Sequence, residues 1–241
     1  GIYNYDEKNV WTYVRIINDT LVTGYRQTNG WARTRTVYFA MSFSKPFKSY
    51  GQKNYDEKQP YRGFWRKFDE TKNFPEIAGK KIRMHFDFKT DESEKIKIKL
   101  ALSSVSQDNA LENMAAEIKD WDFEKVKVNA QKLWNAELYK IVIDASEDIK
   151  VNFYTAMYHA FINPTTYTDV NGQYRGLDQN THIANGFTNY STFSLWDTYR
   201  ALHPLFNITQ PSRNNDMVKS MMAHYNQSVL HMLPIWSHYS N

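Results

Sequence analysis

The hydrophobic period of this chain changes once, near residue 105, and that change limits the architecture more than any other feature. Before it, apolar residues fall at every second position. In residues 81–89, Ile82, Met84, Phe86 and Phe88 alternate with polar side chains, and in residues 95–102 so do Ile96, Ile98, Leu100 and Leu102. A period of two lines up such side chains on one face of a strand, so both segments are expected to be half-buried, with one wet face. Further strands are expected over residues 13–17 and 21–26, split by the turn sequence Asn18-Asp19-Thr20, and over residues 36–43. Asp91-Glu92-Ser93 reads as a hairpin-like connection between the two clearest strands. Residues 52–74 mix charge and aromatics without a readable period.

After residue 105 the period becomes helical. Helices are expected over residues 108–118 and 123–141, the second with Phe123, Val126, Ala130, Leu133, Trp134 and Leu138 on one face and Asp122 as its N-cap. Residues 149–161 follow, with Phe153, Met157, Tyr158 and Phe161 as a stripe. An irregular stretch, 163–191, carries glycines at 172, 176 and 186, and two more helices are expected over 194–203 and 214–229. Pro204 reads as the stop of the first of these. Strands followed by helices imply an α+β chain of two domains: 1–106 strands, 107–145 linking helices, 146–241 helices. Both ends read as cut, because a handful of helices after residue 145 cannot close around their own apolar faces. The chain is expected to be one piece of a larger polypeptide.

Several function classes fall away on composition. The net charge is +4 over 241 residues, but basic residues are interleaved with acids, as in 80–99 and 124–140, and form no stripe for tracking phosphates. No nucleic-acid partner is expected. Cysteine is absent, which removes disulfides, zinc–thiolate sites and thiol nucleophiles. No apolar run is long enough for a membrane span. The seven histidines show no metal-ligand spacing. Sequons stand at Asn18, Asn189, Asn207 and Asn226, and those at Asn189 and Asn207 flank a helix expected to be partly buried, which argues against glycans there. Aromatics make up 16% of the chain. That suits sugar-stacking clefts and ordinary β-sheets alike.

The densest chemistry lies in residues 187–211. On the helix over 194–203, Trp196, Asp197 and Arg200 would stand close together, an aromatic plate, a carboxylate and a guanidinium suited to a polyhydroxylated ligand. The competing structural readings are a capping box between Ser194 and Asp197 and an i, i+3 ion pair between Asp197 and Arg200. Upstream, residues 169–178 hold two acids, an arginine and two glycines. Their spacing departs from an EF-hand loop and fits a glycine-turned hairpin, with Arg175 and Asp178 as candidate rim residues.

Thr23-Gly24-Tyr25-Arg26 with Gly30-Trp31-Ala32, and Tyr38-Phe39 leading to Phe43-Ser44-Lys45-Pro46-Phe47, resemble the second half of the N-terminal β-sandwich of glycoside hydrolase family 92, the exo-acting α-mannosidases, and the resemblance continues along nearly the whole chain. Leu100-Ala101-Leu102-Ser103-Ser104-Val105-Ser106 with Asn109-Ala110, and Trp121-Asp122-Phe123, resemble its exit into a linker helix. Phe153-Tyr154-Thr155-Ala156-Met157-Tyr158-His159, residues 169–178 and 186–211, and His231-Met232-Leu233-Pro234-Ile235-Trp236 resemble the start of its (α/α)6 barrel. The resemblance implies part of an antiparallel sandwich, a linker helix and the first barrel helices. It implies release of terminal α-linked mannose from a mannose-containing glycan, with inversion and with calcium as cofactor. The catalytic acid and base, and most calcium ligands, would then lie beyond Asn241, in the remaining parts of the same polypeptide, so none is assigned here. Asp197 matches a family aspartate expected to hold mannose hydroxyls, with Trp196, Arg200, Arg175 and Asp178 as further substrate-binding candidates. Export, to the periplasm or outside a bacterial cell, follows from such a substrate. The alternative function is a non-catalytic carbohydrate-binding or scaffold module.

Overall fold

The structure, a computed structural model, describes residues 8–30, 34–55 and 74–233. Trp31, Ala32 and Pro234-Ile235-Trp236 of the resembling motifs, and most of the unassigned 52–74 stretch, lie outside the described residues. The chain divides into two compact units, Gly1–Trp121 and Asp122–Asn241. Strands gather in the first and helices dominate the second, an α+β chain.

In the first unit β1 (Asn9–Asn18) and β2 (Leu21–Thr28) form the expected hairpin, with Asn18 Oδ1 accepting from the backbone N–H of Thr20 at 2.9 Å. β3 (Arg35–Phe43) pairs with β2, β7 (Ile98–Ser103) with β3, and β5 (Glu76–Gly79) with β1, all antiparallel, giving the order β5-β1-β2-β3-β7. A second sheet consists of β4 (Ser49–Asn54) and β6 (Ile82–Asp87). Residues 91–93 therefore do not close a hairpin. β6 pairs with β4 and β7 with β3, so the connection carries the chain from one sheet to the other. Alternation alone cannot identify the neighbour a strand will pair with, because the same period serves either sheet.

The two sheets enclose a core of Val22, Phe43 and Phe47, against which Val14, Ile16, Phe39, Met41, Phe86, Phe88 and Ile96 pack. Phe86 lies 5.1 Å from Phe43 between ring centroids, and the same distance from Phe47. This is the inner layer of a β-sandwich. Gly24 sits under the Phe39 ring, its cross-strand partner, where any Cβ would fall 2.7 Å from that ring. The opposite face of the larger sheet carries α1 (Gln107–Glu117), capped by Ser106 Oγ, which accepts from Asn109 N at 3.0 Å. Ala40, Ala110 and Met114 form the core there, with Ala101 packed on it. No basic residue occupies the last turn of α1; Lys99 reaches across from β7 and donates to the C-cap carbonyl of Ile118 at 2.9 Å.

One expectation reverses here. Ile98, Leu100 and Leu102 share the sandwich-core face with Phe43, Met41 and Phe39, yet each is more than half exposed, while their polar alternate Ser103 is buried. β7 is an edge strand, and among the described residues the β4–β6 sheet covers its neighbours and stops short of it.

The second unit begins with α2 (Phe123–Leu138), capped as expected by Asp122, whose carboxylate accepts from Lys125 N at 3.0 Å. Trp134 holds it to Tyr158 of α3 (Glu147–Ile162), with ring centroids 4.5 Å apart. The predicted apolar face of α2 is largely open, and no residue of this helix is buried. The hairpin of β8 (Gln173–Arg175) and β9 (Thr181–Ile183) follows. The expected helix over 194–203 is instead two pieces. α4 (Leu195–Thr198) ends in a turn at 199–201, and α5 (Leu202–Thr209) starts anew. Pro204 ends nothing. It lies in the first turn of α5, where a missing N–H costs no intrahelical bond. α6 (Pro211–Gln227) closes the described part of the unit.

Candidate functional site

The segment before α4 is tied down along its length. Thr165 and Ser191 pair, Tyr167 N donates to Asn189 O, and Tyr190 N donates to Ser220 Oγ of α6 at 2.9 Å. Tyr190, Phe193, Phe206 and Met217 form the core of the unit, with Leu195 and Leu202 packed on it. His203 adds a polar tie. Its Nδ1 lies 2.7 Å from Asn214 Oδ1, and Asn214 Nδ2 donates to Asn207 Oδ1. Asn189 is fully buried, whereas Asn207 is exposed, so burial argues against a glycan at the first sequon and not at the second.

Helical spacing then sorts the α4 turn into two sets. Leu195, Thr198 and Leu202 turn inward, Thr198 Oγ1 donating to Ser194 O at 2.9 Å. Trp196, Asp197, Tyr199 and Arg200 turn outward, and Trp196 is 76% exposed. Both structural roles weighed for Asp197 are unfilled. Ser194 makes no capping hydrogen bond with its side chain, and Arg200 donates to the Tyr199 hydroxyl at 2.6 Å rather than pairing with Asp197. Among the described residues the Asp197 carboxylate accepts no hydrogen bond.

Asp178 stands in the opposite condition. Its oxygens accept from the backbone and side-chain N–H groups of Asn180, each at 3.0 Å, and His182 Nε2 lies 3.0 Å from both. A carboxylate has about four lone-pair sites, so little capacity remains for a sugar hydroxyl. Burial pushes this carboxyl up, but the Asn180 and His182 hydrogen bonds outweigh it and hold Asp178 below the ordinary aspartate range. The His182 ring packs on Tyr174, with centroids 5.8 Å apart, and the Tyr174 hydroxyl accepts from Gln227 Nε2 of α6 at 2.8 Å. Arg175 Nη1 donates to Gln179 O at 2.8 Å across the hairpin turn. Of the five residues named from sequence, the structure brings Trp196, Asp197 and Arg200 onto one exposed turn. It places Arg175 and Asp178 in a hairpin, where the hydrogen bonds described here serve the hairpin itself.

Sequence reasoning missed Tyr199. The signal was present as a tyrosine directly before the arginine, but adjacent residues on a helix do not ordinarily face one another, so spacing gave no reason to pair them. A cleft of about 470 Å³ opens elsewhere in the unit, lined among others by Phe161, Thr165, Tyr190, Gln210, Arg213 and Met217, and none of the five predicted residues borders it. Among the described residues no three His, Asp or Glu side chains gather as a metal site. No helix among them is long and apolar enough to cross a membrane.

Comparison with known proteins covers both units. Residues 2–103 match the glycosyl hydrolase family 92 N-terminal domain, and residues 109–241 match the glycosyl hydrolase family 92 catalytic domain. The solved family GH92 α-mannosidase BT3965 of Bacteroides thetaiotaomicron, known also in complex with mannoimidazole, is 42% identical with a TM-score of 0.86 over 96% of this chain and 30% of its own. The inverting mannosidase BT2199 of the same organism is 26% identical, with a TM-score of 0.81, over 95% of this chain and 30% of its own. An uncharacterized secreted glycosidase of the fungus Arthroderma benhamiae is 29% identical over 93 residues, 36% of this chain and 12% of that protein. The chain thus spans about a third or less of the length of these relatives.

Proposed function

This chain belongs to glycosyl hydrolase family 92, and from that premise we propose that it is the part of an exported α-mannosidase that walls the terminal sugar's subsite. Residues 1–106 are then the later part of the sandwich domain, 107–145 the linker helices and 146–241 the start of an (α/α)6 barrel. The full protein releases terminal α-linked mannose with inversion. Inversion needs an acid on the leaving oxygen and a base on water, their carboxyl groups about 6.5–9.5 Å apart. We assign both to residues beyond Asn241, as we do most ligands of a calcium ion, and no role of the present residues runs through that ion.

The observation that carries the reading is the open Asp197 carboxylate beside the exposed Trp196 ring, on a turn anchored by Leu195 and Leu202. Vicinal hydroxyls of a pyranose suit a carboxylate with both oxygens free, and its C–H face suits an indole. The test is mannose release from an α-linked mannobiose by the full-length protein and its Asp197→Asn variant. A charge-assisted hydrogen bond is worth about 1.5–3 kcal/mol, so kcat/KM is expected to fall about 10- to 100-fold. Unchanged kcat/KM removes Asp197 from the subsite. Sugar binding by the unsubstituted protein without any release supports the module reading instead.

A further inference from the structure

We propose that Tyr199 is a positioning residue that keeps the Asp197 carboxylate open by drawing the Arg200 guanidinium away from it, an inference that rests on the sugar-binding reading of Asp197. Asp197 and Arg200 stand three residues apart along a helical turn, a spacing at which an acid and a base pair by default. They do not pair among the described residues. The Arg200 Nε–H donates to the Tyr199 hydroxyl oxygen at 2.6 Å, and the guanidinium carbon lies 5.5 Å from the centroid of the same ring. One hydrogen bond and one cation–π contact thus hold the charge on the tyrosine.

The geometry behind this is the early end of α4. Tyr199 is its C-cap, still helical in its backbone, and α5 begins only at Leu202, so the pair stands on an exposed last turn where the long Arg200 side chain reaches the neighbouring hydroxyl. The consequence for recognition is specific. An arginine engaged with Asp197 would occupy the lone pairs that sugar hydroxyls need. With the guanidinium parked on Tyr199, the turn offers a free acceptor at Asp197 and, beside it, a restrained donor with N–H groups to spare, a pairing that reads a polyol rather than a cation or an anion.

The test uses the full-length protein with an α-linked mannobiose. Tyr199→Phe removes the acceptor and leaves only the ring contact, so the guanidinium is released to fall back on Asp197. An exposed pair of this kind competes with the sugar by a factor of about two to five, so KM is expected to rise about two- to fivefold with kcat held. In an Arg200→Gln background the same Tyr199→Phe change is expected to add nothing. An equal rise in both backgrounds assigns Tyr199 to sugar contact or local folding and overturns the proposal, as does no rise in either. Asp197→Asn measured alongside separates the two failures. If it leaves KM and kcat unaltered, the sugar-binding reading falls and the proposal with it; if it impairs the enzyme while the Tyr199 pattern is absent, only the diversion of Arg200 is wrong. Tyr199 is about half exposed, and matching thermal midpoints exclude misfolding as the cause.

Discussion

Acid should loosen the helical unit through one residue, His224 of α6. Its side chain is 4% exposed, and burial holds the imidazole neutral down to a pKa of about 4. The unfolded chain protonates the same group near 6.5. Between those values the unfolded state binds a proton that the native state does not, so stability falls as the pH drops from about 6.5 to about 4 and is full above that window. The gap corresponds to about 3 kcal/mol in all, of which about 2 kcal/mol is already lost at pH 5. Urea unfolding of the full-length protein, followed by tryptophan fluorescence at about pH 7.5 and about pH 5, measures that loss. His224→Leu removes the titration, with His224→Gln as a second form if packing suffers. Most carboxylates stay ionised down to about pH 5, so the pH-dependent loss in either variant should be smaller than in the parent by about 2 kcal/mol. Equal losses in parent and variants would refute the assignment.

Two further outcomes follow from the geometry. Gly24→Ala drives a methyl group into the Tyr13 carbonyl oxygen and the Phe39 ring, and should destabilise the sandwich by about 1–3 kcal/mol, read as a lower thermal midpoint; a neutral result would mean that the β1 backbone and Phe39 both give way freely. Asp178→Asn removes the charge behind the Asn180 and His182 bonds, and amide exchange over residues 173–183 should quicken about tenfold while the sandwich is untouched. In the parent, because the Asp178 carboxyl is held low, the hairpin's share of stability is present above about pH 4 and is lost as the pH falls through the folded-state value.

The candidate site divides along the same line between pattern and context. Trp196, Asp197 and Arg200 were legible because a helical period puts them on one face, and the structure keeps them on one exposed turn although the helix is shorter than its spacing suggested. That Asp197 is open while Asp178 is saturated was not legible. Both are aspartates near glycine- and arginine-bearing segments, and only the hairpin that brings Asn180 and His182 onto Asp178 distinguishes them.

What the sequence determined by itself is local: the period of each segment, the β1–β2 turn, the Asp122 cap, and a class of chain in which strands precede helices. These depend on spacing and on side chains reaching their own backbone a few residues away, and no distant partner enters. The tertiary structure decided which strands pair, and so that residues 91–93 link two sheets rather than two neighbours. It decided that Ile98, Leu100 and Leu102 stay exposed on the core-side face of an open edge strand, since burial depends on what covers a face and not on the alternation that builds it. It also decided that Arg200 meets Tyr199 instead of Asp197, because the paths of exposed side chains on one turn are not fixed by their spacing.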